Sequence, residues 1–211
     1  MAGARIVLTT ADGEAVSAYH APPGDARRGG LVILHAIWGV TPHIRALSDE
    51  LAEQGYEVIA PSLLDPAAAP FPTLDTEPAI LDQRMALGEA SGWGLATLDR
   101  VQAAVDALAG PVFVMGFCFG GTTAWLAAGR CRGIAAVSAF YGGDIPLHGL
   151  ALMRMTRSSF ELGVSAWSGA SVAALGPITL TRIGPSLAEP PQPCSIRPRI
   201  RRGSSARIGR P

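Results

Sequence analysis

The stretch VFVMGFCFGG, residues 112–121, ends an apolar run with a cysteine set among glycines. A chain that leaves a strand and turns sharply into a helix has little room for side chains near the turn. Gly116 and Gly120 lie two positions before and two positions after Cys118, where small residues are needed. The turn presents the Cys118 sulfur at the helix N-terminus, where free N–H groups and the helix dipole favour a thiolate. The stretch therefore predicts a nucleophilic cysteine.

The residues on both sides of this stretch support a strand before the turn and a helix after it. Residues 111–117 are apolar and β-branched, and residues 122–130 carry Ala and Leu at helical spacing. The alternative interpretation is that Cys118 is a buried apolar cysteine in a glycine-rich turn, which is a common environment for a free cysteine. The strand and the helix favour the nucleophile over this alternative.

Length and composition limit the classes to which the chain can belong. With 211 residues and 48% hydrophobic residues, the chain can form one sizeable core, so we expect one domain. A formal net charge of zero gives no reason to expect a nucleic acid or a membrane surface as a partner. No apolar run approaches the roughly 20 residues of a membrane span, and the N-terminus has no signal-peptide pattern.

The cysteines indicate a reducing compartment. Cys118, Cys131 and Cys194 have neither the spacing of a zinc site nor the even number of a disulfide framework. We therefore expect a cytoplasmic protein that holds no metal and no cofactor.

Strand and helix patterns alternate along the first two thirds of the chain. The predicted strands are 5–10, 15–21, 31–36, 56–60, 111–117 and 134–141, and the predicted helices are 42–54, 80–90, 93–109 and 122–130. This alternation predicts an α/β fold with a mostly parallel sheet, helices on both faces, and a site at the carboxyl ends of the strands. The Pro- and Ala-rich residues 61–78 are expected to form a surface excursion over that edge.

Three stretches, one of which contains the turn at Cys118, resemble the dienelactone hydrolase family over about residues 5–145. They are LVILHAIWGVTPHIRALSDELAEQGYEVIAPSLLDP from residue 31, VMGFCFGGTTAWLAA from residue 114 and AVSAFYGG from residue 136. The resemblance implies an α/β-hydrolase fold and cleavage of a small-molecule lactone or ester through a thioester on Cys118. It also implies an oxyanion hole formed by the backbone N–H groups of Ile37 and Phe119.

The chain departs from the family pattern at Ala36, where the family usually carries a glutamate that takes part in activating the cysteine. A methyl group cannot exchange a proton, so activation would depend on the helix terminus and a histidine, or would differ in kind. The family also implies an acid and a histidine after the nucleophile, but His148 follows Cys118 by only 30 residues, too early for that histidine. Acid and base therefore stay unassigned. The earlier histidines are expected to be core or surface residues: His20, His35 and His43.

Arg84 lies in a region where the family has an arginine that faces a substrate carboxylate. The alignment there is loose, and the interpretation we favour is an ordinary solvated arginine on a helix. Trp38 and Phe117 flank the predicted pocket and are expected to act in packing rather than in substrate contact.

Residues 149–211 differ from the rest of the chain, because Arg, Ser and Pro accumulate and hydrophobic periodicity is lost. We expect a partial α/β-hydrolase core over residues 1–148, incomplete at its C-terminal end, and an atypical tail over residues 149–211 that is either disordered or the product of a frameshift. Two functions stay open. One is a monomeric cysteine hydrolase, and the other is an inactive hydrolase-like protein that lacks the acid and the histidine.

Overall fold

Strands and helices alternate along the chain in the order that the sequence predicts. The computed structural model describes residues 2–24, 26–73 and 78–143, together with the backbone of residues 178–180. The strands are β1 (Ala4–Thr9), β2 (Ala15–Ala21), β3 (Gly29–Leu34), β4 (Tyr56–Pro61), β5 (Val112–Phe117), β6 (Ile134–Phe140) and β7 (Ile178–Leu180). The helices are α1 (Pro42–Glu53), α2 (Pro78–Ala90), α3 (Leu98–Asp106) and α4 (Phe119–Arg130).

The strands form one sheet in the order β1-β2-β4-β3-β5-β6-β7. The four central strands, β4, β3, β5 and β6, run parallel to one another. At one edge β1 and β2 form an antiparallel hairpin, and at the other edge β7 pairs antiparallel with β6. The predicted α/β-hydrolase architecture is therefore confirmed, with the parallel part of the sheet at its centre.

Helices cover both faces of the sheet, so the central strands are buried on both sides. Successive side chains of a strand point to opposite faces. Along β3, Val32 and Leu34 belong to the core under α3 and α4, whereas Leu31 and Ile33 belong to the core under α1. Both cores contain aliphatic residues of several strands, and they hold β3 and β5 in the middle of the domain.

The predicted helix over residues 93–109 is wrong in its first part. Gly92, Trp93 and Gly94 have φ angles of 61°, 51° and 101°, which a right-handed helix cannot contain. A 3-10 turn over Leu95–Thr97 follows, and α3 begins only at Leu98. Because a Cβ on Gly94 would lie 2.2 Å from the Thr123 hydroxyl, the chain here turns directly against α4.

Two boundaries next to the site also differ from the prediction. Strand β3 ends at Leu34, two residues earlier than predicted, and α4 begins at Phe119, three residues before the predicted 122. The chain after β3 is therefore a loop from residue 35, which is stabilised by a hydrogen bond from the Gly39 N–H to the Ala36 carbonyl. In the part of the chain that the structure describes, no helix is both long and apolar enough to cross a bilayer.

Candidate active site

The chain turns sharply at Cys118, between the end of β5 and the start of α4. Cys118 has φ 53° and ψ −115°, a conformation that side-chain-bearing residues rarely adopt. Its N–H donates to the Phe140 carbonyl at 3.0 Å, and its carbonyl accepts from the Thr122 N–H at 3.0 Å. Cys118 is a partly exposed residue at the N-terminus of a 12-residue helix.

Glycines around this turn let the backbone approach itself closely. A Cβ on Gly116 would lie 2.0 Å from the Gly120 carbonyl oxygen, and a Cβ on Gly120 would lie 2.2 Å from the Leu34 carbonyl oxygen. Gly121, which the sequence analysis did not single out, has the same property, since its Cβ would lie 2.4 Å from the Phe140 oxygen. Each of these three positions therefore requires glycine, and together they hold Cys118 in its strained conformation.

Aromatic side chains at the ends of β5 and β6 lie beside the cysteine. The rings of Phe117 and Phe140 stack with centroids 5.1 Å apart, and Tyr141 contacts Phe117 at 6.4 Å. Burial, and then the charge of Cys118, raise the pKa of Tyr141 above its ordinary value. Phe117 thus packs as expected, and it does so in a wall next to Cys118.

The two predicted oxyanion donors lie at the same edge of the sheet. In the parallel pair of β3 and β5, Leu34 is opposite Gly116, so the loop that carries Ile37 leaves β3 at the level of Cys118. Phe119 is the first residue of α4, and its N–H has no acceptor within the helix. The close contact of Gly120 with Leu34 brings the start of α4 against this loop.

His35 is a fully buried core residue whose two ring nitrogens are both engaged. Nε2 accepts the Leu63 N–H at 3.0 Å, and Nδ1 lies 2.6 Å from the Ala36 carbonyl oxygen, to which it donates. Burial is the main cause that lowers the pKa of His35 to about 4, so the ring is neutral at pH 7. Of the other described histidines, His20 contacts Glu57 at 3.2 Å, and His43 is exposed on α1.

Arg84 is not the solvated helix arginine that we expected. Its side chain is only 11% exposed and forms a bidentate ion pair with Asp65. The distance from Arg84 Nη2 to Asp65 Oδ2 is 3.2 Å. Its Nε donates to the Ile37 carbonyl at 2.8 Å. Burial acts to raise the pKa of Asp65, but the hydrogen bonds and charge of Arg84 outweigh it and hold that pKa below 3.8.

Two more glycines bring α2 and the ion pair against the loop after β3. Gly39 has φ 87°, and a Cβ there would lie 3.0 Å from an Asp65 carboxylate oxygen and 3.1 Å from the Arg84 guanidinium. On α2, a Cβ on Gly88 would lie 2.8 Å from the Ile37 side chain. Arg84 and Gly88, one helical turn apart, therefore hold Ile37 from the same side of α2.

The second described cysteine has a different environment. Cys131 lies 3.7 Å from the Leu98 carbonyl, to which its thiol donates. Burial, followed by the charges of Asp99 and Asp106, raises the pKa of Cys131 to about 12, so this thiol stays protonated at neutral pH. Within residues 2–24, 26–73 and 78–143, no cluster of His, Cys, Asp and Glu could hold a metal ion. The predictions for His148 and Cys194 lie outside the described residues, as does the tail over residues 149–211 apart from β7 at Ile178–Leu180, which pairs with β6.

Comparisons with known proteins agree with the resemblance seen in the sequence. The model of the dienelactone hydrolase family matches residues 16–158. A protein of Escherichia coli (strain K12) with the provisional name carboxymethylenebutenolidase is 34% identical over 135 residues, which are 62% of this chain and 49% of that protein. A Salmonella typhi protein of the same provisional name is 32% identical over 153 residues, 69% of this chain and 56% of that protein. The chain thus spans about half the length of the curated relatives it matches.

Solved structures support the same fold. The structure of a protein named m3DLH has a TM-score of 0.50 at 25% identity and covers 68% of this chain and 61% of its own. The alpha/beta hydrolase GrgF of Penicillium sp. sh18 has a TM-score of 0.50 at 17% identity, covering 72% of this chain and 53% of its own, which is a likeness of fold.

The family match includes both parts of the site, the turn at Cys118 and the loop after β3. It extends over residues 16–158 of the 211, which is more than half of the chain. The chain belongs to the dienelactone hydrolase family.

Proposed function

We propose that the chain is a hydrolase that cleaves a lactone or a small carboxylic ester through a thioester on Cys118. The observation that carries this proposal is the backbone of Cys118, whose φ of 53° is maintained by glycines that no larger residue could replace. Strained residues of this kind occur at functional sites. A partly exposed thiol at a helix N-terminus is also suited to act as a nucleophile.

The residues of the site fit the steps of acyl transfer. The Cys118 thiolate attacks the carbonyl carbon, a C–S bond forms, and the electron pair of the C=O double bond moves onto oxygen. The N–H groups of Ile37 and Phe119 stabilise that oxyanion. Its collapse breaks the C–O bond of the ring or ester, and the released alkoxide takes up a proton. Water then hydrolyses the thioester, which yields the carboxylic acid and regenerates the thiol.

The residues beside the nucleophile fit the small-molecule substrate that the family implies. Phe117, Tyr141 and Ile37 provide apolar and aromatic surface on two sides of the cysteine. The proposed chemistry needs neither a metal nor a cofactor. A net charge of zero gives no reason to expect a nucleic acid or a membrane surface as a partner, and we propose a monomeric cytoplasmic enzyme that acts on small molecules.

A second candidate is a hydrolase-like protein that cannot complete the reaction. Among the described residues no histidine hydrogen-bonds the Cys118 sulfur, since His35 is engaged with the backbone and His20 with Glu57. A general base is needed to activate water against the thioester. A protein without one would become acylated and then turn over slowly.

Hydrolysis of p-nitrophenyl acetate separates these candidates. For the wild type we expect a burst of nitrophenolate followed by steady turnover. Cys118→Ala should lose several orders of magnitude in rate, because removal of a nucleophile commonly does so. Cys131→Ser is the matched control and should leave the rate unchanged, since a serine hydroxyl can still donate to the Leu98 carbonyl.

The outcomes are distinct. A burst without turnover supports the second candidate, in which acylation occurs and deacylation does not. Equal rates for the wild type and Cys118→Ala contradict the proposal.

A further inference from the structure

The direction of the Ile37 N–H is fixed from the opposite side of its peptide group. The Ala36 carbonyl accepts hydrogen bonds from His35 Nδ1 at 2.6 Å and from the Gly39 N–H at 3.1 Å. No peptide bond in the described part of the chain is cis, so the Ile37 N–H points away from the Ala36 carbonyl. Any group that holds this carbonyl therefore also aims the N–H.

The tautomer of His35 is determined by its other partner. Because Nε2 accepts the Leu63 N–H, the single proton of the neutral ring is on Nδ1. His35 Nδ1 therefore donates to the Ala36 carbonyl, which also accepts the Gly39 N–H. The buried ring links the loop that carries Ile37 to the chain after β4.

The next peptide group is held by Arg84. Its Nε donates to the Ile37 carbonyl at 2.8 Å, while its two terminal nitrogens bind Asp65. Only 11% of the side chain is exposed, and the hydrogen bonds of the guanidinium go to Ile37 and Asp65. The peptide groups before and after Ile37 are both constrained by this cluster.

We propose that His35, Asp65 and Arg84 are positioning residues that aim the Ile37 N–H at the oxyanion, and that Arg84 does not serve as a ligand for a substrate carboxylate. This inference rests on the proposed function, because an aimed N–H matters only if an oxyanion forms at Cys118. A displacement of about 1 Å in a catalytic group can cost about 100-fold in rate.

Arg84→Lys tests the inference most sharply. Lysine keeps a positive charge for Asp65 but has no equivalent of the Nε–H that reaches the Ile37 carbonyl. The acylation burst should be measured with p-nitrophenyl acetate, which is neutral, and with mono-p-nitrophenyl succinate, which carries a carboxylate. We expect the acylation rate constant to fall about 100-fold for both esters, with unchanged half-saturating concentrations.

The opposite pattern overturns the inference. If Arg84 bound a substrate carboxylate, acylation would become slower only with the succinate ester, and the half-saturating concentration of that ester would rise. Arg84→Met is a second variant, and its acylation rate constant should fall at least as far as that of Arg84→Lys with both esters. A purely structural role would lower stability in both variants without this selective loss in the rate constant.

Two isosteric replacements test His35. The side-chain amide of Asn lies near the position of Nδ1 and can still donate to Ala36, whereas that of Gln lies near Nε2 and faces Leu63. Each variant loses one hydrogen bond, so both should be destabilised alike. We expect His35→Asn to keep most of the acylation rate and His35→Gln to lose about 100-fold. Equal losses, or the reverse order, overturn the role of His35.

The failure of this inference can be told from the failure of the proposed function. If the wild type releases nitrophenolate from neither ester, the proposed function fails. Amide hydrogen exchange then decides the positioning claim by itself, because the N–H of Ile37 should exchange at least about tenfold faster in Arg84→Lys than in the wild type. Equal exchange rates overturn the claim.

Discussion

The turn at Cys118 and the loop after β3 provide the two halves of one site, yet they are held in place by different means. At the turn, the main chain packs against itself, and three glycines leave no room for a Cβ. In the loop, buried polar side chains bind the carbonyls of Ala36 and Ile37. The turn is therefore sensitive to added volume, and the loop is sensitive to lost hydrogen bonds and charge.

The two regions also differ in where a substitution can disrupt them. The three glycines that permit the close main-chain packing lie near one another in the chain, although Gly120 and Gly121 pack against the ends of β3 and β6. The polar cluster joins residues from β3, the excursion after β4 and α2, and it can be disrupted far from the cysteine. Four substitutions or conditions test this contrast, in order of the size of their expected effects.

Asp65→Ala should have the largest effect on stability. It leaves the Arg84 guanidinium, 11% exposed, without its partner. Removal of one member of a buried ion pair typically lowers the free energy of unfolding by about 3–5 kcal/mol. Urea denaturation measures this loss, and a change below about 1 kcal/mol would show that the ion pair does not hold the loop.

Gly116→Ala should come next and act through volume alone. The new Cβ would lie 2.0 Å from the Gly120 oxygen, so the turn must shift, at a cost of about 3 kcal/mol. Gly143→Ala is the matched control, because its Cβ would meet none of the described residues within 4 Å and should change stability by less than about 0.5 kcal/mol. Similar melting temperatures for the two variants would contradict the steric explanation.

Acid should weaken the loop through His35. Its pKa is about 4 in the folded chain and 6.5 in the unfolded chain, so the unfolded state binds the proton more readily between these values. The free energy of unfolding should therefore fall as pH drops from 6.5 to 4, by up to about 1.4 kcal/mol per pH unit, and this loss should level off below pH 4.

The contribution of His35 to this pH dependence can be isolated by comparison with His35→Asn, whose side chain does not titrate. Urea denaturation of both proteins at several pH values gives the difference. Parallel curves for the two proteins between pH 6.5 and 4 would contradict the assignment.

Glu57→Gln should have the smallest effect. Glu57 pairs with Arg27 at 2.7 Å near the surface, where their side chains are 25% and 29% exposed. Such pairs contribute about 0–1 kcal/mol, so the free energy of unfolding should change by less than about 1 kcal/mol. A loss as large as that of Asp65→Ala would remove the distinction between buried and surface ion pairs in this chain.

The turn at Cys118 could be predicted from the sequence because the residues that determine it are close together in the chain. Gly116, Cys118 and Gly120 lie within five residues, and the apolar strand before them is visible in the sequence. The α/β-hydrolase fold follows from the alternation of strands and helices and was predicted correctly. The broken start of α3 had a local signal as well, because glycines flank Trp93 on both sides.

The polar cluster had no such signal. Arg84 binds Asp65 across 19 residues and Ile37 across 47, and His35 binds the Leu63 N–H across 28. No periodicity connects positions that far apart. The sequence therefore predicts a solvated arginine at position 84 and does not distinguish a core from a surface position for His35. Such contacts become visible only when the sheet brings the ends of its strands together.

The most direct test of the role of Cys118 is to locate the acyl group. The wild-type chain should be mixed with p-nitrophenyl acetate, quenched in acid during the burst, digested and mapped by mass spectrometry. We expect one acetyl group on Cys118 and none on Cys131, whose pKa is raised to about 12. Acetyl groups on other residues, with Cys118 unmodified while nitrophenolate is released, would contradict a nucleophilic cysteine at this turn.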